Sequence, residues 1–352
     1  MNRKLRVAII GCGRISVAYE DAFKRLSSIS DIVFAVDIEE EKAKEFAKKF
    51  DCEYSTDYKD IFSKNIDVVH LCLPHYLHAP VAIDCLDHGI NVLTEKPMAL
   101  SLQEADMMIE ASKRNNKLLG CIFQTRYNES VHILKKMVVD GEFGKIKSIR
   151  SLLTWSRDKE YYSSSNWKGT WDKEGGGVLI DQAIHSLDRV LYLAGDDVEW
   201  VEANIANRVH PFVEVEDVAE ATIKFKNGII YNLYATDSFF GDDTPINIDF
   251  CCEKGMFGLH QDVGYSLVGS DYKEYREIEE REVVGKGYWG TTHVMQLHEF
   301  YNAVLNGTPI LVDMYQGRKT LEVVKAIYKS AMEKRKIYLP FVDSKIQKGT
   351  KL

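Results

Sequence analysis

The order of apolar and polar positions predicts alternating strands and helices over roughly the first 125 residues. Leu5–Ile10 is an apolar run closed by Gly11, which suits a buried strand, and Arg14–Leu26 follows as a helix. Ile32–Val36 predicts a second strand. Glu39–Phe50 predicts a helix, because Ala43, Phe46, Ala47 and Phe50 recur at helical spacing. Asp67–Leu73, Asn91–Thr94 and Leu118–Cys121 supply three more strands. Between them lie a helix over Ala79–His88, stopped by Gly89, and one from Ser101 to about Asn115, where Ser101 and Glu104 are spaced as a capping box. Strands alternating with helices imply a parallel, doubly wound α/β sheet.

Beyond residue 125 the pattern changes. A helix is expected over Ser130–Asp140, ended by Gly141 and Gly144, and a strand over Ile146–Trp155. A Trp- and Gly-rich loop to Gly177 precedes a helix over Val178–Leu193. Val218–Phe225 and Ile229–Ala235 alternate around Asn227-Gly228, a hairpin signal. Ile246–Cys252 and Tyr272–Ile278 are further strand candidates, and Gln296–Leu305 and Gln316–Glu333 are late helices. This predicts two domains, a nucleotide-binding one over 1–125 and an α+β one over 126–352 with a mostly antiparallel sheet. Ile223, Phe225, Ile229 and Tyr231 suggest apolar area on that sheet, so subunit pairing through it is expected.

Composition narrows the function classes. Of 352 residues, 45% are apolar and 28% charged, ordinary for a globular chain that needs no disulfide or metal staple. The formal net charge of −8, with Lys and Arg spread along the chain, argues against a nucleic-acid partner. No run approaches the ~18–20 apolar residues of a membrane span. The apolar stretch after Met1 is too short for a secretory signal, so a cytoplasmic protein is expected. Seven cysteines without a CxxC pair read as small buried hydrophobes of a reducing compartment.

The chemistry begins at Gly11-Cys12-Gly13-Arg14-Ile15-Ser16, a G-x-G-x-x-S variant of the dinucleotide fingerprint between a strand and a helix. Gly11 permits the tight turn, and Gly13 lets a pyrophosphate approach the backbone. The helix opening at Arg14 and Ile15 offers unpaired N–H groups and a positive dipole end. Asp37, 26 residues after Gly11, ends the second strand, where a carboxylate accepts both ribose hydroxyls and repels a 2′-phosphate. No cation follows in Ile38, Glu39 or Glu40, so NAD is expected rather than NADP. Pro74, His75 and His78 follow the third strand and are expected to line the cofactor cleft. No acidic or thiol partner stands at ligand spacing from the two histidines, so no metal is expected.

Thr94-Glu95-Lys96-Pro97 ends the fourth strand. Lys96 there can hold a substrate hydroxyl and stabilise an alkoxide as hydride leaves, with Glu95 placed for the nicotinamide ribose. In the second domain, Gly175-Gly176-Gly177 leads into a helix with Asp181 and His185 four residues apart, hence on one face. A carboxylate beside an imidazole makes a general base suited to an alcohol proton. Trp155, Arg157, Tyr161, Tyr162, Trp167 and Trp171 precede the glycines. Aromatic faces pack on sugar C–H faces, and an arginine binds hydroxyls.

GCGRIS, EKP and GGGVLIDQAIHSLD, in this order and spacing, resemble the glucose–fructose oxidoreductase / inositol dehydrogenase / rhizopine catabolism (Gfo/Idh/MocA) family over essentially the whole chain. The resemblance implies a Rossmann domain plus a second domain with a large open sheet used for dimers or tetramers. It also implies Lys96, Asp181 and His185 as catalytic group. Gln124-Thr125-Arg126-Tyr127-Asn128 resembles a family segment that touches nicotinamide and substrate, which carries Gln124 to the cofactor and Tyr127 to the substrate. Trp167 and Arg157 join Tyr127 as expected substrate contacts. The expected function is hydride transfer between NAD and a carbinol or ketone carbon of a cyclitol, sugar or anhydrosugar. The rivals are a sugar-nucleotide or amino-sugar dehydrogenase and a non-catalytic NAD-binding sensor.

Overall fold

A computed structural model describes residues 3–239, 241–276, 292–343 and 350. Two compact units are present. One comprises the chain up to Gln124 together with the segment ending at Arg318, and the other starts at Thr125 and resumes at Lys319.

The first unit holds strands β1 (Leu5–Ile10), β2 (Ser30–Val36), β3 (Glu53–Ser55), β4 (Val68–Leu71), β5 (Asn91–Thr94) and β6 (Leu119–Cys121). All pairs are parallel, in the order β3-β2-β1-β4-β5-β6. Strand order therefore reverses between β1 and β4, the switch point at which such sheets bind ligands beyond their C-terminal ends. Every residue of β4 and β5 is buried, as a parallel sheet covered on both faces requires. A late helix, His293–Asn306, joins this unit: Leu297, Phe300 and Tyr301 pack with Tyr19, Phe23 and Val7 in one buried cluster. The strand–helix grammar of the first 125 residues does not display this return.

The second unit carries a nine-stranded sheet: β7 (Ile146–Thr154), β8 (Val198–Ala206), β9 (Val218–Phe225), β10 (Ile230–Thr236), β11 (Asn247–Cys252), β12 (Gly255–His260), β13 (Val263–Val268), β14 (Asp271–Tyr275) and β15 (Ile337–Tyr338). Its order is β14-β13-β12-β11-β7-β10-β9-β8-β15, antiparallel throughout except for β7 against β10. The hairpin predicted at Asn227-Gly228 joins β9 to β10. Ile278 of the last strand candidate lies outside the described residues.

One expectation about this sheet is corrected. Ile223, Phe225, Ile229 and Tyr231 are all buried. Ile223 pairs with Tyr231, and Tyr231 with Ile149, so these side chains share the inner face. Helices Ile184–Ala194 and Met314–Glu333 lie on the inner side; Ser330 of the latter accepts the Ala203 N–H at 3.0 Å. The opposite face is mixed instead. Arg150 pairs with Asp249, the Thr222 hydroxyl donates to Asn232, and Leu152 (41% exposed) and Tyr272 (56%) stand beside them. The apolar residues singled out from the sequence are satisfied within the chain.

Candidate active site

In the first unit, the turn after β1 is held from both sides. The Gly11 N–H donates to Val36 and the Cys72 N–H to Ile10, each at 2.8 Å. Gly11 has φ +96°, and a Cβ there would sit 2.3 Å from the Cys72 carbonyl oxygen, so only glycine fits. A Cβ on Gly13 would meet nothing within 4 Å, which leaves the backbone open to close approach. The Ser16 hydroxyl donates to the Gly13 carbonyl at 2.7 Å and is buried, closing the short turn Arg14–Ser16 that opens helix Val17–Arg25. Arg14 is exposed and Ile15 half-buried at this N-terminus.

Asp37 ends β2 and turns back to the same loop: Oδ2 accepts the Cys12 N–H and Oδ1 the Glu39 N–H, both at 2.9 Å. The carboxylate is thereby aimed beside the fingerprint, followed by Ile38, Glu39, Glu40 and Glu41, and the next cation, Lys42, is paired with Glu39. An open glycine at a helix start and an acidic side chain at the second strand's end together fit a dinucleotide without a 2′-phosphate.

Helix His75–Asp87 starts four residues earlier than expected, with Pro74 before it, so His75 and His78 lie in its first turn. Both are buried. His78 is fully enclosed, its Nδ1 2.7 Å from the Pro97 carbonyl oxygen and its Nε2 2.9 Å from that of Leu73. Burial pushes its pKa down to about 4. His78 thus stands between the EKP turn and the end of β4, and in the neutral form that burial favours its single N–H can donate to one of these two carbonyls.

Glu95 is equally committed. Its Oε1 accepts the hydroxyl of Tyr19 at 2.6 Å and its Oε2 the Lys96 N–H at 3.2 Å. Burial raises its pKa, against the opposing pull of Tyr19 and Lys96. Lys96 is half-buried, flanked on the chain by buried Glu95 and Pro97. Gln124 is buried, and its carbonyl accepts the Thr292 hydroxyl at 2.7 Å.

In the second unit, Arg126 is buried and forks onto Asp188, with Nε–Oδ2 and Nη2–Oδ1 both 2.6 Å. Asn128 donates to Asp262 at 2.8 Å, and Tyr127 between them is 7% exposed. The glycine run is a close-approach device. A Cβ on Gly176 would lie 1.9 Å from the Tyr328 hydroxyl, and one on Gly177 1.9 Å from the Glu216 carbonyl oxygen. The Glu216 carboxylate accepts the N–H groups of Gly177 (2.8 Å) and Leu179 (3.0 Å) and the hydroxyl of Tyr328 (2.8 Å), anchoring the helix start.

That helix opens with a π-turn over Leu179–Ala183 and becomes α-helical from Ile184. Asp181 therefore sits in a widened turn rather than in the regular α-helix expected, a distortion found disproportionately at functional sites. From Glu174 through Leu191, Asp181 and His185 are the two side chains that are not buried.

Asp181 is gripped by residues that local spacing does not reveal. Its Oδ2 accepts the Tyr161 hydroxyl at 2.6 Å and the Lys168 ammonium at 2.8 Å. Lys168 also donates to Glu174 at 3.2 Å and lies over the rings of Tyr161 and Trp167. Burial alone would lower the Lys168 pKa, but Asp181, Tyr161 and Glu174 outweigh it and keep the ammonium charged. Burial pushes the Glu174 carboxyl up to about 7, opposed by Lys168. Trp167 is half-exposed. Arg157 is 8% exposed, bonds to Asp243 at 2.9 Å and stacks between Trp155 and Tyr161, so it builds the wall on which Tyr161 rests. Among the described residues, no His/Cys/Asp/Glu cluster fits a metal and no helix is long and apolar enough to cross a membrane.

Two family models match: an oxidoreductase-family NAD-binding Rossmann fold (GFO_IDH_MocA) over residues 5–123, and a GFO/IDH/MocA C-terminal domain over 131–258. The chain is 24% identical to a levoglucosan dehydrogenase of Pseudarthrobacter phenanthrenivorans, covering 97% of this chain and all of that one. It is 26% identical to a myo-inositol 2-dehydrogenase of Thermotoga maritima, covering 95% and 98%. Among solved structures it resembles the WlbA dehydrogenase of Bordetella pertussis, determined with NADH and UDP-GlcNAcA, at a TM-score of 0.85 and 26% identity over 96% of this chain and all of that one.

Proposed function

The chain belongs to the Gfo/Idh/MocA oxidoreductase family, and from that premise we propose that it is an NAD-dependent dehydrogenase of a cyclitol, sugar or anhydrosugar. NAD, when bound, takes up or returns the hydride. Gly11, Gly13 and the N–H groups at Arg14 and Ile15 receive its pyrophosphate, and Asp37 its adenosine ribose. Lys96 holds the reacting oxygen and stabilises the charge that develops on it. His185 takes the hydroxyl proton in oxidation and returns it in reduction, with Asp181 orienting it. Tyr127 and Trp167 face the sugar.

The observation that carries this reading is that Asp181 and His185 alone keep partial access on an otherwise buried segment that opens with a π-turn. Subunit pairing across the opposite, mixed sheet face belongs to the same reading, resting on Leu152 and Tyr272. So does a cytoplasmic location, which suits seven free cysteines.

The test is NAD reduction by the purified chain across inositols, aldoses, anhydrosugars and nucleotide sugars. Reduction with a free polyol is the expected result. NADH binding without reduction by any of them would refute the proposal and leave a sensor. Preference for nucleotide sugars would move the reading to that class, which the likeness to the UDP-GlcNAcA complex favours.

Asp37→Asn removes the charge and keeps only one of the two acceptors, because its amide nitrogen cannot accept the Cys12 or Glu39 N–H. We expect its KM for NAD to rise about 10-fold, as loss of charged hydrogen bonds to the ribose predicts, and NADP to become a measurable cosubstrate. Unchanged preference in steady-state kinetics would count against Asp37 as ribose ligand.

A further inference from the structure

The residues around Asp181 form a set of their own. Lys168 reaches Asp181 at 2.8 Å and Glu174 at 3.2 Å, with a side chain only 10% exposed. The Tyr161 hydroxyl adds a bond to the same carboxylate oxygen, Oδ2. Glu174 is fixed in turn by the Gly169 N–H. Three chain segments thus converge on Asp181: helix Lys159–Ser163, the Trp167–Gly169 loop and the residue preceding the glycine run.

A surface lysine beside two carboxylates would contribute little. An enclosed one is different, because a buried ammonium persists only with a partner, and each partner is then held in place.

We propose that Lys168, bridged between Asp181 and Glu174, is the positioning residue of the acid–base pair: with the Tyr161 hydroxyl it fixes the orientation and negative charge of the carboxylate against which His185 works. This rests on the acid–base roles given to Asp181 and His185 above. Lys168 acts through Asp181, and Glu174 keeps the ammonium from swinging away. The titratable groups in the set are Tyr161, Lys168, Glu174, Asp181 and His185. The Tyr161 phenol is pushed up, by burial first and then by Asp181, so it serves as a hydrogen-bond donor and not as a base.

The sign of the effect follows. Without the ammonium, the charge of Asp181 is uncompensated and raises the proton affinity of the base it faces. The acid limb of the kcat/KM–pH profile should therefore move to higher pH. For Lys168→Met we expect a move of about one unit and a 10- to 100-fold fall in kcat at neutral pH, on the order of a lost charged hydrogen bond. NADH affinity should be unchanged, and Lys168→Arg should restore most of the activity. Tyr161→Phe, which removes one hydroxyl, should move the limb the same way by less, and it carries the test if Lys168→Met does not fold. Asp181→Asn is measured alongside. An unmoved limb in the variants, with turnover lost in Asp181→Asn, overturns the inference. Turnover surviving in Asp181→Asn overturns the acid–base reading beneath it, and this inference with it.

Discussion

Lys96→Ala is expected to lose roughly 10²- to 10³-fold in kcat, the size seen when one preorganised donor to a developing oxyanion is removed. NADH should still bind. The residues given to the cofactor lie on the Gly11 turn and at Asp37, held by their own backbone bonds. The lysine follows a strand whose four residues are all buried, so its backbone is fixed. The flanking groups do not duplicate it: Glu95 is committed to Tyr19, and His78 is neutral between two carbonyls. Steady-state NAD reduction, NADH fluorescence titration and a thermal melt separate the effects. Turnover within a few-fold of the parent, with an unchanged melt, would remove Lys96 from the chemistry. Lys96→Arg should recover only part of the loss, because a planar fork does not reproduce a compact ammonium.

How much of this was legible in the sequence depends on whether the signal was local. The alternation of apolar runs and amphipathic helices is local, and it located all the longer strands of the first sheet together with the fingerprint turn. Helix His75–Asp87 begins four residues before the expected Ala79 and carries Pro80 inside it, close enough to its N-terminus that the missing N–H costs little. Strands β12 and β13 escaped notice because their glycines lower strand propensity. Gly258 is there for close approach, since a Cβ would come within 2.2 Å of the Ile248 carbonyl oxygen. Strand β8 does alternate, but its partners are β9 and the distant β15, and only the assembled sheet supplies them.

At the candidate site, the four-residue spacing of Asp181 and His185 is visible in the sequence, but the π-turn that carries Asp181 is not. Its start is held by Glu216, 37 residues from Leu179 in the chain and itself bonded by Tyr328. Lys168 looked like any lysine in a Trp- and Gly-rich loop. Its importance comes from enclosure beside two carboxylates, which no local period encodes. Arg157 shows the converse. Its type suggested a hydroxyl ligand, and the fold adds that its Nη1 bonds Asp243 while its guanidinium lies over two aromatic rings.

Asp188→Ala is expected to destabilise the second unit by about 3–5 kcal/mol, the cost of leaving a buried charge without its partner, or roughly 6–20 °C in melting temperature. Asp188 is fully enclosed and binds Arg126 through both oxygens, with a third bond from Thr320 at 2.9 Å. Arg126 also lies over the face of Tyr192, which cannot replace a carboxylate. Adding Arg126→Met should recover part of the loss, because no unpaired charge then remains, and a surviving deficit would measure what the fork contributes beyond charge balance. The same variant should lower turnover even where it is folded. Asp188 lies three residues past His185 on one helix, and Arg126 adjoins Tyr127, so the pair joins the helix of the proposed base to the segment of the proposed substrate tyrosine. Equal melting temperatures for parent and Asp188→Ala, or a double variant no more stable than the single one, would show that the fork is not what holds these two segments together.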